Sequence, residues 1–347
     1  MLEFYKGKKV FITGHTGFKG TWLSFMLAEA GAEVTGYALE PDEAQRPLWD
    51  RSGVASRIKS VTGDIRDFAC LKKAFDEADP EIVIHMAAQP LVIKGYQDPA
   101  YTYETNVMGT VNILECVRQS GKVRSFVNVT TDKVYENPET GIGCREDDKL
   151  DGYDPYSNSK SCSDIITHSY ARSFLTEAGT AVSCVRAGNV LGGGDFSENR
   201  IIPDCVRALH AGEPVMLRHP GAVRPFQFVA EPLYAYLMAA RKQYEDPSYA
   251  GMYNVGPEES DCITVGELAK LFCEAWGEGA SYQAGSEEGP HEAGLLRLNC
   301  EKIRSRLGWK PVTDIGKTAQ LTAEWAKTYY AGGDIPALMR KQLEPYR

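Results

Sequence analysis

Nowhere in the 347 residues does an apolar run approach the roughly 20 positions a helix needs to cross a bilayer, so no membrane-spanning segment is expected. The opening Met1-Leu2-Glu3-Phe4-Tyr5-Lys6 lacks a charged start leading into an apolar core, the mark of an export signal, and the cytoplasm is the expected setting. Basic residues are in short supply: 38 Lys and Arg stand against 47 Asp and Glu, a formal net charge of -9 at pH 7, and they do not cluster. A general nucleic-acid binder needs such clusters to neutralise phosphates, so an anionic ligand would require a local basic pocket instead. Repeats and low-complexity tracts are missing too, which sets aside solenoids and disordered chains. The nine cysteines are odd in number and include no Cys-x-x-Cys pair, so neither a disulfide framework nor a metal site is expected. Cys184, inside Ala181-Val182-Ser183-Cys184-Val185, reads as a small buried hydrophobe.

With 43% hydrophobic residues a packed interior is feasible, and the length favours a large cofactor domain with a smaller companion. Short β-branched runs alternate with helix-length segments through the first half. They are Val10-Phe11-Ile12-Thr13, Glu33-Val34-Thr35-Gly36-Tyr37, Ile58-Lys59-Ser60-Val61, Ile82-Val83-Ile84-His85, Phe126-Val127-Asn128-Val129 and Val182-Ser183-Cys184-Val185. This alternation predicts an α/β fold built on a doubly wound parallel sheet. After Arg186 the pattern weakens. The expected division is a dinucleotide-binding domain over 1–188, to which 226–257 returns with strands at 226–229 and 252–255, and a smaller interleaved substrate domain over 189–225 and 258–347. A helix is predicted in the stretch running to Trp276, where Val265, Leu268, Ala269 and Phe272 recur at helical spacing.

Thr13-Gly14-His15-Thr16-Gly17-Phe18-Lys19-Gly20 follows the first strand and opens the first helix. Gly14, Gly17 and Gly20 allow a tight turn and close approach of backbone to a pyrophosphate, whose charge suits a helix start; Thr16 and Phe18 share that turn. The Gly-x-x-Gly-x-x-Gly spacing resembles that of the extended short-chain dehydrogenases. Past the second strand stand Glu40, Asp42 and Glu43, with no Arg before Arg46, which suits a free ribose hydroxyl and points to NAD rather than NADP. Glu40 is the ribose candidate or else a solvated loop carboxylate. Asp64 and Ile65, after the third strand, read as adenine contacts, although Asp64 could instead cap the following helix. Ala87, Ala88 and Gln89, after the fourth, fall where strand ends face the cofactor crevice.

Tyr156-Ser157-Asn158-Ser159-Lys160 places a phenol and an ammonium one helical turn apart on one face. Lys160, aided by the positive ring of oxidised NAD, is expected to draw the phenol from about 10 toward neutrality and make Tyr156 a usable base. A Tyr and a Lys at this spacing also occur on plain solvated helices. The polar tip Thr130-Thr131-Asp132-Lys133 after the fifth strand makes the set specific, because Thr131 can share a substrate hydroxyl with Tyr156.

These stretches, with Thr105-Asn106-Val107-Met108-Gly109-Thr110, Arg186-Ala187-Gly188-Asn189-Val190 and Pro290-His291-Glu292-Ala293, resemble the CDP-glucose 4,6-dehydratases over nearly the whole chain. The Asp132-Lys133 pair is informative, since dTDP-glucose relatives carry an acid where Lys133 stands. The resemblance implies oxidation at carbon 4 of a nucleotide hexose, loss of water across carbons 5 and 6, and hydride return to carbon 6, with NAD as cofactor and Asn106 among its contacts. It makes Asp132 the acid for the departing hydroxyl, and Lys133 either the base at carbon 5 or a group that orients Asp132. Asn189, Arg200, Arg224 and His291 fall on its substrate-binding stretches, and a homodimer or dimer of dimers follows through segments 105–119 and 156–174. Departures lie at Phe228 and Gly294, where the family usually has His, and after Asn137, where its tryptophan-rich segment is missing. A nucleotide-sugar epimerase would share the glycine turn and the Tyr-Lys pair but needs no acid to expel water. A silent NAD-binding regulator would be expected to have lost Tyr156 or Lys160.

Overall fold

The computed structural model describes residues 1–137, 139, 141–277, 279–285 and 294–347. The six runs become parallel strands β1 (Lys9–Thr13), β2 (Glu33–Ala38), β3 (Lys59–Thr62), β4 (Ile82–His85), β5 (Ser125–Val129) and β6 (Ala181–Ala187). They pair in the order β3-β2-β1-β4-β5-β6, and Met252–Val255 adds a seventh strand in parallel with β6. The doubly wound parallel sheet is therefore the fold. Every residue of β4, β5 and β6 is buried, because helices cover both faces, and such strands need apolar runs rather than alternation. At the other edge β3 exposes Lys59 and Ser60, polar residues that discourage further strand pairing.

Strand order reverses between β1 and β4, and a crevice opens there at the carboxyl ends. Thr13 and His85, in register across the gap, are joined by a 2.7 Å bond between Oγ1 and Nδ1. Burial lowers His85 to about 3 and keeps the ring neutral, and because the Thr110 hydroxyl donates to the Asn106 carbonyl at 2.6 Å, Nε2 donates to Thr110 at 3.1 Å and Nδ1 accepts from Thr13. Thr13 Oγ1 also accepts the Met86 and Ala87 amides, each at 3.1 Å, tying the exit of β4 to the exit of β1.

Helix α1 (Phe18–Glu29) is buried continuously from Gly20 to Leu27, packed between the sheet and helix Ala230–Glu245. Gly31, at φ 78°, turns the chain just past its end. Beyond β6, Gln227–Phe228 pairs with Val190–Leu191 as a separate two-stranded piece, whereas Met252–Val255 is the segment that joins the main sheet. The predicted helix forms as Val265–Trp276, started by a Thr264–Glu267 capping box. Its Leu268 and Phe272 pack with Ile202, Val215 and Phe226 in a cluster apart from the sheet, while Trp309, Trp325 and Met339 join the cluster of Val10 and Trp22. All nine cysteines are free. No helix among the described residues is long and apolar enough to cross a membrane.

Arg186 of β6, 2% exposed, clamps Asp164 of helix Pro155–Tyr170 with Nη2 at 2.7 Å and Nε at 2.9 Å. Its Nη1 donates to the Tyr135 hydroxyl at 2.8 Å and the Glu146 carbonyl at 2.9 Å, and Thr130 donates to Asp164 at 3.1 Å. Removing one partner strands the other charge in a dry interior. Asp164→Ala is therefore expected to lose about 3–5 kcal/mol in urea unfolding, with most of it regained in the Asp164→Ala, Arg186→Met double variant. A loss under about 1 kcal/mol in the single variant would refute that view of the pair.

Candidate active site

Each glycine of the turn after β1 answers a different steric demand. Gly14 has φ 76°, and a Cβ on it would lie 2.7 Å from the Ala87 amide nitrogen. A Cβ on Gly20 would lie 2.0 Å from the Gly14 carbonyl oxygen, so α1 sits against the turn only because none is there. Gly17, the residue preceding α1, meets nothing closer than that carbonyl at 3.4 Å and opens onto free space at the helix start. A cavity of about 210 Å³ lies there, lined by Gly14, Thr16, Gly17, Phe18, Gly20, Asp64, Ile65, Ala87 and Ala88. Free helix N–H groups and a backbone stripped of side chains fit a dinucleotide pyrophosphate.

Other residues expected near a dinucleotide have different placements. Asp64 lines the cavity with its carboxylate gripped by Arg66 at 2.7 Å, which holds it below the usual carboxylate range. The capping role left open for Asp64 belongs to Asp67, which accepts the Cys70 amide at 3.0 Å. Glu40 is exposed and accepts the Thr62 hydroxyl at 2.6 Å; Leu39 and Gln45 line the cavity at that end. Gln89 and Asn106 are buried and act as braces. Asn106 accepts the Gln89 amide at 2.8 Å and donates to Ser159 at 2.8 Å, linking the exit of β4 to the helix that carries Tyr156.

That helix, Pro155–Tyr170, begins with Asp154 accepting the Ser157 amide at 3.0 Å and with Pro155 in the first turn. Tyr156 on it, and Thr131, Asp132 and Lys133 at the tip of β5, all line a second cavity of about 450 Å³. Thr131 accepts the Lys133 amide at 3.4 Å and donates to Asp132 Oδ1 at 2.9 Å. Asp132 Oδ2 is buried with no hydrogen-bond partner among the described residues. Burial raises this carboxyl, against the pull of Lys133, the Thr131 hydroxyl and Arg224. The shift is toward the protonated form, the form a general acid needs.

The expected lowering of the Tyr156 phenol is corrected. Burial pushes it up to about 12, with the Thr131 hydroxyl pulling the other way. Lys160 donates to the Val129 carbonyl at 3.0 Å, and its own ammonium is brought down to about 7 by burial and then by Lys19. Desolvation is the largest influence on both groups in the protein by itself.

On the substrate side Asn189, Arg200 and Arg224 all line the larger cavity. Arg224 is 5% exposed and donates to the Val223 carbonyl at 2.9 Å, and Arg200 pairs with Asp195 at 3.0 Å. His291 lies outside the described residues. Phe228 is fully buried against Trp22, away from both cavities, whereas Phe226 faces the larger one. Gly294 donates its amide to Glu139 at 3.3 Å. Sequence reasoning missed Lys19, which lines both cavities along with Phe18, Pro90, Asp195 and Arg200. The only signal for it was its place between Phe18 and Gly20 in the turn.

A family model described as GDP-mannose 4,6 dehydratase matches residues 11–322. The chain is 42% identical to a CDP-glucose 4,6-dehydratase of Salmonella typhimurium, over 99% of this chain and 97% of that one, which bears out the resemblance read from the motifs. In structure it is similar to a UDP-glucose 4-epimerase from Thermotoga maritima with UDP-glucose, at a TM-score of 0.80 and 22% identity, covering 92% of this chain and 99% of that one. It is also similar to a dTDP-glucose 4,6-dehydratase from Bacillus anthracis in complex with NAD, at a TM-score of 0.77 and 22% identity, covering 92% and 96%. At those identities the solved structures speak for the fold.

The low Lys160 value predicts a stability cost. An ammonium held near 7 when folded, and near 10.4 when unfolded, binds fewer protons in the folded state between those values. Its penalty is full below pH 7 and fades toward about pH 10. Lys160→Met should therefore be more stable than the parent at pH 7, with the gain shrinking as pH rises. Urea unfolding at pH 7 and 9 reads this; a variant less stable at both would overturn the assignment.

Proposed function

The chain belongs to the GDP-mannose 4,6-dehydratase family, and on that premise we propose that it is an NAD-dependent dehydratase of a nucleotide-activated hexose, converting CDP-glucose to CDP-4-keto-6-deoxyglucose. The observation that carries this reading is Asp132: a buried carboxyl with one oxygen unpartnered, in the same cavity as Tyr156, Thr131 and Lys133. An epimerase has no use for an acid there.

The chain's own groups divide the work as follows. Tyr156 would act as the base toward the hydroxyl on carbon 4 once the positive ring of oxidised NAD beside it draws the phenol down to its phenolate, and Thr131 hydrogen-bonds the same hydroxyl. Bound NAD, held at the Gly14–Gly20 turn, supplies a hydride acceptor at carbon 4 and a hydride donor at carbon 6, so no net redox change results. The new ketone acidifies carbon 5. Lys133 either takes that proton or only orients Asp132. Asp132 gives its proton to the hydroxyl leaving carbon 6, and water departs. Asn189, Arg200 and Arg224 hold the nucleotide diphosphate; a guanidinium grips phosphate with two bonds.

We further propose a cytoplasmic homodimer. Met108, Ile165 and Phe174 expose large apolar side chains on the segments 104–120 and 155–175, and a second copy would cover them.

With CDP-glucose carrying deuterium at carbon 4, turnover should lose one water and deliver the label to carbon 6. An isomer of unchanged mass would establish an epimerase instead. Asp132→Asn should still oxidise carbon 4 but release water roughly 100-fold or more slowly, so that reduced cofactor builds up and is seen in absorbance. Lys133→Met should abolish solvent exchange at carbon 5 if Lys133 is the base; unchanged exchange would leave it only the orienting role.

A further inference from the structure

Gly188, directly after β6, has no left-handed backbone, so its conformation does not call for glycine. Its neighbours do. A Cβ there would lie 2.7 Å from Pro225 Cγ, 3.1 Å from the Pro225 carbonyl oxygen and 3.3 Å from Oδ2 of Asp132. Three parts of the chain therefore meet at one point: the exit of β6, the polar tip beyond β5, and the end of the strand Val223–Pro225 from the second half. Gly188 and Pro225 are both buried, and Asp132 is 3% exposed. Gly188 and Asp132 also line the larger cavity. Thr131 donates to Oδ1 of Asp132, which leaves the unpartnered Oδ2 to carry the proton of an acid.

The charges around Asp132 favour its ionised form. Lys133, Arg224 and Lys19 are cations whose charge reaches it, from its own turn, from the strand that ends in Pro225 and from α1. The other titratable groups within reach are Tyr156, Tyr236 and Cys144, and burial raises all three, so they are neutral near pH 7. Even so the carboxyl is raised, with burial the largest cause. Exclusion of water from Asp132 thus outweighs three cations. The contact of Gly188 with the Pro225 ring puts apolar cover beside the very oxygen that has no partner.

We propose that Gly188 and Pro225 are positioning residues that close a dry clasp beside Oδ2 of Asp132 and so preserve the proton it gives to the hydroxyl leaving carbon 6. One jaw belongs to the main sheet and the other to the second half of the chain. The inference rests on the dehydratase reading above.

In a single turnover of CDP-glucose, decay of the NADH absorbance reports elimination and hydride return. Its rate is expected to fall on the alkaline side, as Asp132 loses its proton, and Asp132→Asn should lack that fall. Removing the ring in Pro225→Ala or Pro225→Ser lets water reach Oδ2, favours the carboxylate, and should move the fall about one pH unit lower. In the Gly188→Ala, Pro225→Ala double variant the new methyl takes the space the ring left, and the fall should return to within about 0.3 unit of the parent. The backbone N–H gained at position 225 is common to the single and double variants, so it does not account for a return. A fall unmoved in the Ala and Ser variants, not restored in the double variant, or still present in Asp132→Asn would overturn this proposal alone. So would a parent whose rate already falls near pH 4, where a wetted Asp titrates. A parent in which CDP-glucose never produces NADH would overturn the dehydratase reading and this inference with it.

Discussion

Arg186 and Asp164 meet where β6, the tip of β5 and the helix Pro155–Tyr170 converge, and the geometry of the catalytic wall depends on their contact. Taking a guanidinium and a carboxylate out of water costs several kcal/mol for each. Two parallel bonds between them, with Tyr135, Glu146 and Thr130 on the remaining sites, offset that cost. The arrangement fixes distances that no local motif could. Tyr156 sits about two turns before Asp164 on the same helix, and Thr131 directly follows Thr130, so one contact sets the phenol and the threonine hydroxyl against each other.

Burial also decides the charge state of the site. It raises the phenol of Tyr156 and the carboxyl of Asp132 and lowers the ammonium of Lys160. Each shift moves its group toward neutrality, as expected where water is excluded. A charged ligand entering this site therefore meets groups that burial has biased toward their uncharged forms, and its own charge acts on them with little water to screen it.

Much of the fold was legible because parallel strands buried on both faces leave runs such as Ile82-Val83-Ile84-His85, which read as strands at sight. The glycine turn was legible because steric demand is written in residue type, with no Cβ tolerated at Gly14 or Gly20. The Phe226–Gln227–Phe228 region was legible as a strand from its residues, and Phe228 packs with Val10 and Trp22, but its pairing was not legible, because its partner, Val190–Leu191, is only two residues long. Gln89 and Asn106 lay in the right stretches, but a side chain's hydrogen-bond partners are a tertiary property: those of Asn106 are the Gln89 backbone and Ser159, and those of Gln89 are Leu91 and Thr102. Lys19 escaped for the same reason: nothing near it in sequence reveals the Tyr236 ring beneath it.

Phe18, Lys19, Pro90, Asp195 and Arg200 belong to the walls of both cavities. On the proposed chemistry this shared partition has a metabolic consequence. A sugar nucleotide seated in the larger space stands at the inner mouth of the smaller one, and the electrons taken from carbon 4 go back to the molecule they came from. Turnover then draws nothing from the surrounding pool of oxidised and reduced coenzyme, and a cell could run it at the same rate in redox surplus or redox want.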